Sequence, residues 1–180
     1  MSFKTAVAET PNLGVGAFHL GLRALEPTDR ARIRCADTRR LRGSVNLDSA
    51  LQASHQHSHR WDYGICYSRG GEIVYWVEVH PASPRDVDAV AQKFAWLKDW
   101  LASDGYRLRA FEPQYIWISS GETSFTKGSP QVKRLAQTGV RSSLVTPSGE
   151  RCKSVENQYF ESSLGLALGA GPRSHARGRW

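Results

Sequence analysis

Trp61-Asp-Tyr-Gly-Ile-Cys-Tyr67, then Ser68-Arg-Gly-Gly71, then Glu72-Ile-Val-Tyr-Trp-Val-Glu-Val-His80 is the stretch that decides the fold. Both flanks are rich in aromatic and β-branched residues, and the glycine pair between them supplies a turn. The stretch therefore reads as a β-hairpin. With Arg69-Gly70-Gly71 as a three-residue loop and one glycine in the left-handed region, Ser68 pairs with Glu72 and Asp62 falls opposite Glu78. Opposite residues share a face about 5 Å apart. Two carboxylates at that distance repel unless a cation lies between them. A slip of one residue would send them to opposite faces.

The neighbouring segments extend this reading. Pro81 is expected to end the second strand. Ser83-Pro84 starts a helix, with Ser83 as N-cap, Pro84 at the first helical position and Asp86 in the first turn. Val87, Val90, Ala91, Phe94, Leu97 and Leu101 follow helical spacing, and Asp104-Gly105 closes the element. Tyr115-Ile-Trp-Ile-Ser119 is a strand reached through a helical crossover, hence parallel to an earlier one. Residues 121–128 read as a polar loop, 130–137 as a short helix closed by Gly139, and 140–145 as a last strand. Upstream, Asn46 caps a short helix with Leu47, Ala50 and Leu51 on one side. Gly43-Ser44 reads as a break, and residues 1–40 leave strand and short helix both open around Leu20, Leu22 and Leu25. The expected fold class is α/β, a mixed sheet with a central antiparallel hairpin flanked by helices. Residues 1–43 form an N-terminal basic extension or added strand and helix, 44–145 the core, and 146–180 a C-terminal extension with a flexible basic tail.

Glu78 is out of place in its apolar run. It marks either a site or a solvated face on which Asp62 and Glu78 pair with Arg60 or a lysine. His80, two residues on, shares its face and can ligate, hold a water, act as a general base, or simply end the strand. Glu78 lies roughly 17 Å of strand before the helix start. Lys93 lies roughly 14 Å into the helix. A helix folded back along its strand brings Lys93 level with Glu78, where it can polarise a phosphate or orient a water; an exposed lysine is the plain alternative. An oxygen-rich pair with open positions suits Mg²⁺ or Mn²⁺. The run His55-x-His57-x-His59 offers zinc ligands or, more simply, a polar loop.

Composition bounds these readings. The chain has 180 residues, 40% apolar and 23% charged, which fits one globular domain or one domain with tails. Cys35, Cys66 and Cys152 form no CxxC pair, so neither a disulfide framework nor a zinc ribbon is expected, and a reducing, cytoplasmic setting is. No signal peptide and no membrane span are read from the sequence. The net charge of +7 is divided unevenly: +4 over residues 1–60, −2 over 61–120 and +5 over 121–180. Arg30, Arg32, Arg34, Arg39, Arg40 and Arg42 crowd the first third. Arginine is the preferred phosphate fork, so nucleic acid is the expected partner, with a solvated arginine face or a protein partner as alternatives.

The order of a short helix, a hairpin with Asp62 on its first strand and Glu78-Val79-His80 on its second, a long helix and a parallel strand resembles the PD-(D/E)XK nuclease-like superfamily. The resemblance covers roughly residues 44–145 and implies a restriction-endonuclease-like core and Mg²⁺-dependent phosphodiester hydrolysis. It implies Asp62 and Glu78 as metal ligands, with a lysine two residues after the glutamate to activate water. His80 stands at that lysine's place, and Trp61 stands where the family has a proline. Some members carry the lysine on the following helix, and Lys93 then takes the role. Asp48 and Gln52 are the nearest options for the acidic residue that the family's first helix often adds. A nuclease-fold module that has lost catalysis and only binds nucleic acid or a protein is the competing expectation.

Overall fold

The computed structural model describes residues 1–35, 37–123 and 130–143. Among them, besides three short 3-10 turns, ten α-helices and β-strands follow in order: α1 (Phe3–Ala8), α2 (Pro27–Arg30), β1 (Leu41–Asn46), α3 (Leu47–Ala50), β2 (Tyr63–Ser68), β3 (Glu72–Ala82), α4 (Asp86–Ala102), β4 (Glu112–Thr123), α5 (Pro130–Gln137) and β5 (Val140–Ser143). The five strands make one mixed sheet in the order β1-β2-β3-β4-β5. β1, β2 and β3 pair antiparallel, and β3, β4 and β5 pair parallel, through crossovers that carry α4 and α5.

The hairpin has the expected register. Ser68 pairs with Glu72 and Tyr63 with Val77, and Gly70 takes the left-handed conformation that its turn needs, φ 70°. α3 also follows the sequence: the Asn46 side chain accepts the Ser49 backbone N–H at 3.0 Å, and Leu47 and Leu51 are buried. Gly139, at φ 96°, lies between α5 and β5.

Four boundaries differ. Gly43-Ser44 is not a break; both lie buried within β1. A Cβ on Gly43 would stand 2.2 Å from the Phe18 ring and 2.9 Å from the His19 carbonyl, so the glycine marks a close approach within a strand. Pro81 does not end β3, which runs on to Ala82 across a register shift after His80. β4 extends beyond Tyr115–Ser119 at both ends. Regular helical bonding in α4 begins at Asp86 rather than at Pro84, because Ser83–Arg85 form a turn. Ser83 Oγ accepts the Arg85 N–H at 3.3 Å, and Asp86 Oδ2 accepts the Ser83 N–H at 2.8 Å, a reciprocal cap. Leu144, Val145 and the expected tail at 146–180 lie outside the described residues.

The main core lies between the sheet and helices α1 and α4, around Trp61, Trp76, Phe94, Leu97 and Trp117. Phe3, Ala6 and Val7 of α1 belong to it. A smaller cluster covers part of the opposite face, where Leu25 packs with Tyr63, Ile65, Val77, Ile116 and Ile118.

Candidate functional site

Alternation along β3 sends Val74, Trp76 and Glu78 toward α4. Trp76 is at home there; Glu78 is a carboxylate with no solvent exposure. It survives because α4 folds back along its strand. Lys93 Nζ donates to Glu78 Oε1 and, at 2.9 Å, to Asp62 Oδ1. Two oxygens sharing one ammonium lie within about 6 Å of each other, twice the hydrogen-bond limit. The solvated-face alternative is thereby excluded for Glu78, and its partner is Lys93 rather than Arg60.

Asp62 is held at every polar atom beyond its amide. Its carbonyl accepts the Leu47 N–H at 2.8 Å, at the start of α3. Its Oδ2 accepts the Val79 N–H at 2.8 Å. So β3 donates to Asp62, and α4 supplies the charge that Asp62 and Glu78 share. His80 completes the group. Its Nδ1 is 3.7 Å from Glu78 Oε1, and its Nε2 is 3.6 Å from Asp86 Oδ1. Its carbonyl accepts the Trp117 indole N–H at 3.1 Å.

The charges do not balance when all groups are ionised: two carboxylates face one ammonium. Burial, and after it the Asp62 charge, pushes the Glu78 carboxyl up to about 8, against the pull of Lys93. For Lys93, burial works against the charged form. The carboxylates outweigh it and lift the ammonium above the ordinary lysine value. His80 is lowered by burial and by the Lys93 charge, so it is neutral near pH 7. Glu78 Oε2 is buried with no hydrogen-bond partner among the described residues. An orphaned carboxylate oxygen calls for a proton or a cation, and with both Asp62 oxygens and Glu78 Oε1 already accepting hydrogen bonds, Glu78 Oε2 is the open oxygen of the pair.

The other sequence candidates are dispersed. The side chain of Asp48 turns outward to Arg60, at 3.0 Å, and Gln52 is exposed. His55, His57 and His59 lie in the connection between α3 and β2; the His55 ring meets Trp96 edge-on at 5.7 Å. No group of three or more His, Cys, Asp or Glu side chains arranged for a metal occurs among the described residues. All six arginines are exposed, but they do not form one patch. Arg32 donates to the Ser119 carbonyl at 3.4 Å, and Ser119 is the strand partner of His80. Arg42 reaches Ser68 at the far, hairpin end, also at 3.4 Å. Arg39 and Arg40 are both taken by Asp37. Arg30 and Arg34 flank Arg32 in sequence.

Asp86 was legible only as a helix-start residue, yet it faces His80. Its spacing from Lys93, seven residues on the same helix stripe, is the signal that finds it. The chain matches no known family model, no curated protein and no solved structure.

Proposed function

We propose that this protein is a metal-dependent nuclease-like protein that hydrolyses nucleic-acid phosphodiesters in a cytoplasmic setting, on a restriction-endonuclease-like core. One observation carries the reading: a fully buried glutamate with an orphaned oxygen shares a lysine with the aspartate across its hairpin. A fold seldom needs such a group, since well-packed apolar residues of similar volume in place of a buried ion pair are often neutral or stabilising. The element order supports the same reading: a short helix, a hairpin, a long helix and a parallel strand follow one another, with Asp62 immediately before the first hairpin strand rather than on it, Glu78 on the second and Lys93 on the long helix.

Asp62 and Glu78 would hold Mg²⁺ or Mn²⁺, and the ion when bound would offset charge on the phosphate and lower the pKa of a water. Lys93, already hydrogen-bonded to both carboxylates, orients that water or donates to a phosphate oxygen. His80, neutral at one open edge of the group, offers a nitrogen lone pair for the proton that the attacking water gives up. Asp86 holds the other side of the imidazole. Arg32 stands one strand away, suited to a neighbouring backbone phosphate.

The second reading is a binding module without catalysis. It is favoured by the absence of a three-ligand group among the described residues and by Lys93 already occupying one oxygen of each carboxylate. Arginines and aromatics would then hold nucleic acid or a protein partner. Calorimetric titration with Mg²⁺, Mn²⁺ and Zn²⁺ separates the two. The nuclease reading expects Mg²⁺ or Mn²⁺ binding to wild type that weakens at least tenfold in Glu78→Gln, with circular dichroism unchanged. No binding of either ion to wild type overturns it.

A further inference from the structure

Asp62 lies one residue before β2, and β2 enters its ladders with β1 and β3 only at Tyr63. Sheet bonding therefore does not fix Asp62, although its Oδ1 and Oδ2 must meet Lys93 and Val79 together. The backbone there is held from α3 instead. The Asp62 carbonyl accepts the N–H groups of Leu47, at 2.8 Å, and of Asp48, at 3.4 Å. Two residues before Asp62, Arg60 closes on the same turn. Its Nε donates to the Asp48 carbonyl at 3.1 Å and to Asp48 Oδ1 at 3.0 Å, and one terminal nitrogen lies 3.0 Å from that same oxygen. The other terminal nitrogen donates to the His55 carbonyl. Asp48 thus holds residue 62 through its N–H and residue 60 through its carbonyl and carboxylate.

Arg60 is out of keeping with its surroundings. The residues from Gln52 to His59 are exposed or half-buried, whereas the Arg60 side chain is only 11% exposed. Burying a guanidinium is costly unless its N–H groups are matched, and here acceptors meet Nε and both terminal nitrogens. Trp61, between the two held residues, is fully buried and meets Phe94 of α4 at 5.9 Å, which fixes the same backbone from a further side. We infer that Arg60 and Asp48 are a positioning pair, which holds the backbone from which the Asp62 carboxylate reaches β3 and Lys93. Only the bearing of this pair on catalysis rests on the nuclease reading. The acidic residue of the first helix then serves the site through an arginine, not as a metal ligand.

The test is amide hydrogen exchange of the full chain, followed by NMR, at Val79, whose N–H donates to Asp62 Oδ2. The amide of Leu97, buried on α4, reports opening of the whole fold. In Arg60→Met, Val79 is expected to exchange at least tenfold faster than in wild type while Leu97 does not change. Asp48→Ala should also speed Val79, and it keeps the fold, because the side chain it trims is 51% exposed. Since the two residues act as a unit, the double variant should fall short of the product of the single effects. An unchanged Val79 rate, an equal acceleration at Leu97, or single effects that multiply in full overturns the inference. The readout needs no ion, so it decides the positioning role separately from the titration that decides the nuclease reading.

Discussion

At the scale of residues, the protein is governed by where one proton and one ammonium reside. Glu78 keeps its proton up to about pH 8 in the folded state but only to about its ordinary 4.5 when unfolded. The folded state therefore binds more protons between those values, and stability falls as pH rises through them. The stability from this group is fully present below about pH 4.5 and is lost by about pH 8. Urea denaturation of wild type across pH 5 to 8 should show that decline, and Glu78→Gln, which cannot titrate, should flatten it. Lys93→Met tests the same group from the other side. It leaves Glu78 without its only side-chain donor among the described residues, which costs about 3–5 kcal/mol where the carboxylate is ionised. The loss in the same denaturation measurement should be largest above pH 8 and smaller at pH 5, where Glu78 holds a proton. Adding Glu78→Gln to Lys93→Met should recover part of it.

At the scale of elements, the sequence is most legible where local chemistry leaves one arrangement. The loop Arg69-Gly70-Gly71 sets the hairpin register, and that register, continued one residue before β2, puts Asp62 beside Glu78. The rise of strand and helix then places Lys93 level with them, as the shared hydrogen bonds bear out. β1 was not legible, because a glycine in a strand and a glycine in a turn look the same until the neighbour is known. At Gly43 that neighbour is Phe18, 25 residues earlier in the chain, packed where a side chain would stand. Gly43→Ala is accordingly expected to destabilise by about 1–3 kcal/mol, the usual range for overpacking, read as a lower midpoint in urea. The His80–Asp86 approach was equally hidden. It depends on β3 continuing past Pro81 and on the turn that precedes α4, neither of which local propensity dictates.

At the scale of the whole molecule, the net charge of +7 acts as separate features rather than as one basic surface. The net-acidic middle third contains the buried pair and its lysine. Of the arginines of residues 30–42, Arg32 lies at the His80 end of the sheet, Arg42 at the hairpin end, and Arg39 and Arg40 in the Asp37 ion pairs. Phosphate contacts reveal themselves in salt dependence, about 0.7–0.9 of slope for each neutralised phosphate. Replacing Arg30, Arg32 and Arg34 together by alanine should reduce the slope of log affinity for nucleic acid against log salt by up to roughly 3. Replacing Arg39 and Arg40 should change it less, because Asp37 already occupies them. In the proposed nuclease, the Asp62–Glu78–Lys93 group does chemistry on a phosphodiester. Cleavage of labelled single-stranded and duplex DNA and RNA, with Mg²⁺ or Mn²⁺ and with chelator, tests it most directly, using wild type and Asp62→Asn. The expected result is cleavage of at least one substrate that needs the ion and falls by at least a hundredfold in Asp62→Asn. No cleavage by the wild type, or cleavage that survives Asp62→Asn or the chelator, would contradict it.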